Sequence, residues 1–172
     1  MSTLFPADLY DAAKSLLAEL QRHALLIVTA ESCTGGLLSG LLTEVPGASG
    51  MVERGLVTYS NAAKTELLGV SPDLIARYGA VSEEVARAMA EGALQNTPAH
   101  VAVSVTGIAG PDGGAPEKPV GLVYVAVATK SEGTRVQECR FGDIGRCDIR
   151  LASLREALKL AATAVKPGLR HD

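Results

Sequence analysis

Apolar residues recur with a helical period from Asp8 to Leu20, at Leu9, Ala12, Ala13, Leu16, Leu17 and Leu20, which predicts an amphipathic helix. The apolar run from Leu25 to Ala30 reads as a buried strand, and Gly35 to Val45 as a helix stopped by Pro46-Gly47. Leu56 to Tyr59 predicts a second strand, followed by a short helix from about Ala62 that Gly69 closes. Ser71-Pro72-Asp73 supplies an N-cap with proline at the first helical position, and Gly79 ends that helix. Ser82 with Glu83 and Glu84 opens another, carrying Val85, Ala86, Met89, Ala90, Ala93 and Leu94 on one face until Pro98. Val101 to Val105 and the longer, β-branched Val120 to Thr129 are the clearest strands, joined by the glycine- and proline-rich stretch from Gly107 to Pro119. Thr134 to Phe141 alternates weakly, as an edge strand paired with its predecessor does. A last helix spans Asp148 to Val165, with Leu151, Leu154, Leu158, Ala161 and Val165 on one stripe.

Helices and strands alternate early, and two strands then follow one another. That order predicts a single three-layer α/β/α domain over residues 1–172, with a mixed, mostly parallel sheet covered on both faces. Of the 172 residues, 47% are hydrophobic and only 3% aromatic, with no Trp. Such a core must be built from Ala, Val, Leu and Ile, which suits helices packed on a buried sheet. The formal charge is −3, and no Lys/Arg cluster interleaved with aromatics occurs, which argues against a nucleic-acid partner. The longest apolar run is far short of a membrane span, and the first ten residues carry no Lys or Arg. The expectation is a cytoplasmic protein with no membrane partner. Cys33, Cys139 and Cys147 form no CxxC pair, and His23, His100 and His171 are scattered. The pattern therefore points to no metal and no cofactor. His23 and His100 fit surface positions flanking apolar strands, so a hydrolase here needs a base other than histidine.

Three predicted strands end in polar or glycine-rich segments: Ala30 to Gly36, Tyr59 to Lys64, and Thr106 to Gly114. Open α/β sheets bind ligands at the carboxyl ends of their strands, so parallel strands bring these loops to one edge. In the first segment Ser32 precedes Gly35 and Gly36 at a helix start, where backbone N–H groups can hold a phosphate or an oxyanion. Ser32 is a candidate nucleophile there, or an N-cap serine in a tight turn. The GxSxG elbow and the P-loop pattern are both absent. Cys33 is a rival nucleophile, or packing. In the second segment Lys64 falls in a first helical turn, where the dipole opposes a cation and favours a neutral amine. It is either a general base or an exposed surface lysine. Tyr59 can hydrogen-bond to either group, or sit in the core with its hydroxyl at the rim. Gly107, Gly110, Gly113 and Gly114 make a flexible crossover or a ligand cradle. Arg146 and Arg150 open the last helix, cations at the end of a dipole where a bound anion would explain them, or members of a solvated face.

These segments resemble the CinA C-terminal domain family, whose members are nicotinamide-nucleotide amidohydrolases. Thr29-Ala30-Glu31-Ser32-Cys33-Thr34-Gly35-Gly36 resembles its first motif and Gly55-Leu56-Val57-Thr58-Tyr59-Ser60-Asn61-Ala62-Ala63-Lys64 its second. Gly79-Ala80-Val81-Ser82, Ser104-Val105-Thr106-Gly107-Ile108-Ala109-Gly110-Pro111 and Gly121-Leu122-Val123-Tyr124 are similar to three more. The resemblance spans roughly Asp8 to Val165 and implies a metal-independent Ser/Lys hydrolase in its stand-alone form. Ser32 would be the nucleophile, Lys64 the base and Tyr59 an assisting group. Thr106 and Arg146 would lie in the substrate site, although Gly145 stands where relatives usually carry Asp. The small-molecule substrate implied is nicotinamide mononucleotide. Thr34, Gly35, Gly36, Thr106, Gly107 and Gly110 are the candidate substrate-binding positions, their amides reaching an oxyanion or a phosphate. A homodimer is compatible with this reading. The competing reading is a non-catalytic nucleotide-binding or regulatory module, which would keep the glycine loops without needing Ser32 or Lys64.

Overall fold

The computed structural model describes residues 3–165, so His171 lies outside the described residues. Five strands, β1 (Ile27–Glu31), β2 (Val52–Val57), β3 (Val101–Gly107), β4 (Leu122–Thr129) and β5 (Gly133–Arg140), form one sheet in the order β2-β1-β3-β4-β5. β1 runs parallel to both β2 and β3, whereas β4 is antiparallel to its neighbours β3 and β5. Four strands thus share one direction and only β4 reverses, giving the expected mixed, mostly parallel sheet. Among the described residues six α-helices cover it: α1 (Ala7–Arg22), α2 (Leu37–Glu44), α3 (Asn61–Leu68), α4 (Pro72–Tyr78), α5 (Glu83–Gln95) and α6 (Arg146–Ala164).

Strand alternation divides the core into two layers of different texture. Val101, Val103 and Val105 of β3 and Val123, Val125 and Val127 of β4 face the side covered by α1, α2 and α6. Ala102, Ala126 and Ala128 face the other side, against Val85, Ala86, Met89, Ala90 and Ala93 of α5. Small residues on both surfaces let α5 lie close to the sheet, which is how a core almost without aromatics fills its volume. α5 also lies tightly against α3: at Gly92 a Cβ would stand 1.8 Å from the Leu68 carbonyl oxygen at the end of that helix.

Boundaries shift where backbone geometry overrides side-chain pattern. The helix expected from Gly35 starts at Leu37, because Gly35 and Gly36 take φ of +59° and +93° in the preceding turn. β2 begins at Val52, four residues before the expected strand, and Thr58 and Tyr59 fall beyond its end. Its polar stretch Glu53-Arg54-Gly55 suits an open edge strand, so apolar runs alone do not reveal it. α6 starts at Arg146, ahead of the expected Asp148. β1 extends to Glu31, a carboxylate within a fully buried strand.

Candidate active site

The parallel register brings the carboxyl ends of β1, β2 and β3 together: Glu31 is opposite Val57 on one side and Val105 on the other. Main-chain bonds continue the ladder one residue further. Ser32 N–H donates to the Val105 carbonyl at 2.9 Å, and Thr58 N–H to the Glu31 carbonyl at 2.7 Å. Ser60 then caps α3, its Oγ accepting from Ala63 N–H at 3.0 Å, which places Lys64 in the first turn. The Lys64 side chain turns inward and is only 1% exposed.

There its amine meets three oxygens: Ser32 Oγ at 3.1 Å, the Thr58 carbonyl at 2.8 Å and the Tyr59 carbonyl at 3.4 Å. Among the described residues it forms no ion pair. Burial holds the amine below the usual lysine pKa, since desolvation penalises the ammonium. The three oxygens suit either protonation state: the ammonium donates to all three, whereas the neutral amine that burial favours gives its two N–H groups to the carbonyls and turns its lone pair to the Ser32 hydroxyl. This is the arrangement a serine nucleophile and an amine base require.

Glu31 builds the turn that presents Ser32. Its buried carboxylate accepts from Gly36 N–H at 3.1 Å, Leu38 N–H at 2.9 Å, Ser39 N–H at 2.8 Å and Thr29 Oγ1 at 3.3 Å. An internal carboxylate thus occupies the start of α2, where a bound anion was expected. The Gly35 amide is also engaged, donating to the Ser32 carbonyl at 3.0 Å. Gly35 and Gly36 therefore shape the turn rather than offer free donors. Thr34 is fully buried with its Oγ1 unpartnered among the described residues, and its carbonyl accepts from Arg150 Nη2 at 2.9 Å. None of these three residues lines the pocket. By contrast, among the described residues the Thr34 N–H meets no acceptor and the Cys33 N–H meets only its own thiol.

A cavity of about 270 Å³ opens beside the pair, walled by Ser32, Cys33, Tyr59 and Lys64 on one side and by Ala80, Val81, Thr106, the 107–113 loop and Arg146 on the other. A larger cleft of about 500 Å³ between α3 and α4 shares none of these residues. Thr106 Oγ1 donates to the Ala80 carbonyl at 2.8 Å, and Arg146 Nη1 to the Gly110 carbonyl at 2.8 Å. Gly107 and Gly110 line the wall with little room for a side chain: a Cβ at Gly110 would lie 2.7 Å from Val120 Cγ1. Tyr59 departs from expectation. Its side chain is 64% exposed at the rim rather than in the core, and its bond to the pair runs through the main-chain carbonyl, not the phenol. Cys33 is buried with its thiol pKa pushed up to about 12 by desolvation, which disfavours the nucleophilic thiolate. His23 and His100 are half-buried, and His100 Nδ1 accepts from Leu26 N–H at 2.9 Å. No cluster of three His, Cys, Asp or Glu gathers among the described residues. No described helix is long and apolar enough to cross a membrane.

Fold and site define an α/β/α sandwich with a Ser/Lys pair at the carboxyl edge of its sheet. The CinA C-terminal domain model matches residues 9–165, and the chain belongs to that family. It is 56% identical over 124 residues to a CinA-like protein of Akkermansia muciniphila, covering 72% of this chain and 30% of that one. A CinA-like protein of Anaeromyxobacter sp. (strain K) is 48% identical over 151 residues, covering 88% and 36%. The chain thus spans about a third of the length of the curated relatives it matches. Among solved structures, the competence/damage inducible protein CihA from Agrobacterium tumefaciens is 48% identical with a TM-score of 0.92, covering 95% of this chain and 99% of that one. A competence-damaged protein (CinA) superfamily protein from Escherichia coli is 31% identical with a TM-score of 0.86, covering 95% of each chain.

Proposed function

We propose that this domain is a Ser/Lys amidohydrolase acting on the carboxamide of nicotinamide mononucleotide, releasing ammonia and nicotinate mononucleotide. The observation that carries the reading is the buried Lys64 amine, 3.1 Å from Ser32 Oγ and held by two carbonyls. The substrate follows from the resemblance of the site motifs to the CinA C-terminal domain family.

An amide is a poor electrophile, and covalent catalysis divides its hydrolysis into two easier steps. Neutral Lys64 takes the Ser32 proton as Oγ attacks the carboxamide carbon. The negative charge that develops on the carboxamide oxygen is met by the N–H of Cys33, the residue beside Ser32 in the pocket wall. The Lys64 ammonium returns its proton to the departing nitrogen, and ammonia leaves an ester on Ser32. Lys64 then deprotonates water, whose attack restores Ser32 and yields the carboxylate. In this reading Arg146 and the Thr106-to-Gly110 wall orient the nucleotide, and Tyr59 covers the mouth, a role that their position along the pocket wall and rim supports.

Ammonia release from nicotinamide mononucleotide by the purified protein tests the reading, with EDTA-treated protein alongside. Turnover that survives EDTA and vanishes in Ser32→Ala supports it. Mononucleotide binding without turnover would favour a binding or regulatory module. Loss of turnover restored by zinc or magnesium would require a different mechanism.

A further inference from the structure

Arg150, in the second turn of α6, is half-buried and forms no ion pair among the described residues. Its Nε is buried without an acceptor among those residues, so the site is not one that maximises arginine's own bonding. Its Nη2 nevertheless donates to the Thr34 carbonyl at 2.9 Å, an oxygen that also accepts from Leu37 N–H at 3.1 Å. A Cβ at Gly35 would stand 3.1 Å from Nη2, so glycine leaves room for the guanidinium against the turn.

The peptide groups behind that contact form a chain. The Thr34 carbonyl shares its peptide with Gly35 N–H, which donates to the Ser32 carbonyl at 3.0 Å. The Ser32 carbonyl shares its peptide with Cys33 N–H, which among the described residues meets only its own thiol and belongs to a residue lining the pocket next to Ser32. A cation donating to a carbonyl polarises that peptide and strengthens its N–H as a donor, and successive bonds in a chain reinforce one another. We propose that Arg150 is a positioning residue for the amidohydrolase reaction, polarising the Cys33 N–H through the intervening Thr34–Gly35 peptide so that it stabilises the oxyanion formed on attack by Ser32. The inference rests on the Ser/Lys reading above. Glu31 makes the relay specific, since its carboxylate takes the Gly36, Leu38 and Ser39 amides and leaves Cys33 outside that set.

The test compares wild type with Arg150→Met in two assays: ammonia release from the mononucleotide, and the rate at which a fluorophosphonate modifies Ser32. In the second assay Ser32 Oγ bonds to phosphorus, fluoride leaves and Lys64 takes the proton, so no nucleotide is needed. The expectation is a loss of about 10- to 100-fold in kcat and in the phosphonylation rate, less than or comparable to deleting a direct oxyanion donor. KM should stay within about twofold, and the acidic limb of the pH profile should not move. Arg150→Lys should recover part of the loss. Unchanged kcat, a loss residing in KM, or a loss accompanied by a shifted acidic limb would overturn the relay. In the last case Arg150 merely keeps the Ser32–Lys64 pair assembled. If wild type releases no ammonia, the substrate reading falls, and the phosphonylation ratio still decides the relay. If Arg150→Met does not fold, Arg150→Gln, a donor without charge, carries the same comparison.

Discussion

On one side of the pocket, Ser32 and the carbonyl that anchors Lys64 hang from main-chain bonds that extend the parallel ladder, Ser32 to Val105 and Thr58 to Glu31. On the other side, the loop between β3 and β4 is closed at its base by main-chain bonds between Ile108, Gly121 and Leu122 and turned by a main-chain pair between Ala115 and Lys118, while side chains fasten it to α4 and α6 and the turn after α4. Lys118 Nζ donates to the Tyr78 and Val81 carbonyls at 2.5 and 2.7 Å, and Arg146 reaches the Gly110 carbonyl. The reacting groups thus inherit the rigidity of the sheet, and the opposite wall is built so that single side chains govern its position. A covalent mechanism needs the first side accurate to fractions of an ångström. Substrate entry and fit depend more on the second.

The largest effect should come from the ladder side. Ser32→Ala and Lys64→Met should each lower kcat by at least about 10⁴-fold, and the double variant should be little worse, because both groups serve one step. Lys64→Arg keeps a cation but cannot deprotonate at working pH, so steady-state kinetics should find it as inactive as Lys64→Met. Substantial turnover by a folded Lys64→Arg protein would move the base elsewhere and end the contrast between the two walls.

Glu31→Gln should come next. The carboxylate accepts three α2 amides, and a carboxamide turns one oxygen into an NH₂ that faces donors. A destabilisation of about 2–3 kcal/mol in denaturant unfolding is expected, with a smaller loss of kcat as the Ser32 turn loosens. Stability equal to wild type would show that the turn holds without its internal anion.

Lys118→Met sharpens the comparison from the loop side. Removing two bonds from one cation to carbonyls loosens the wall without touching Ser32 or Lys64. KM should rise by roughly 3- to 10-fold, with kcat changed less and unfolding by denaturant nearly unaffected. A larger fall in kcat than rise in KM would mean that the loop takes part in aligning the reacting groups.

The alternation of strands and helices, the three convergent loops and the Ser32 and Lys64 candidates were all legible in the sequence, because each rests on local pattern or on strand direction. Arg150 and Lys118 were not read this way. Their partners, Thr34, Tyr78 and Val81, are main-chain oxygens distant in sequence, and a carbonyl leaves no trace in residue type. Glu31 did leave a signal: a carboxylate ending an apolar run just before a glycine turn and an apolar helix is a ready-made internal cap. Tyr59 misled for the converse reason. Its side chain is conspicuous, but its bond to the pair uses an atom every residue has.

The smallest effect should be seen in stability rather than turnover, and it isolates the Lys64 amine. Its folded pKa lies below the unfolded value near 10.5 because burial disfavours the ammonium. The unfolded chain therefore binds more protons at intermediate pH, and this group's contribution to stability is full above that unfolded value and is lost as pH falls through the folded one. Two thiols act in the opposite sense: burial raises Cys33 to about 12 and Cys139 to about 11 from an ordinary 9.0, so above pH 9.0 the unfolded chain sheds protons that the native one keeps. Wild-type stability alone would mix the two trends. The difference between wild type and Lys64→Met removes the thiol contribution, and should grow in favour of wild type as pH rises from the folded Lys64 pKa towards 10.5. The slope for this single proton is bounded at about 1.4 kcal/mol per pH unit. Urea unfolding of both proteins at several pH values measures it. A difference that stays flat between pH 7 and 10 would mean that Lys64 is protonated in the native protein, and the lone pair facing Ser32 would be lost with it.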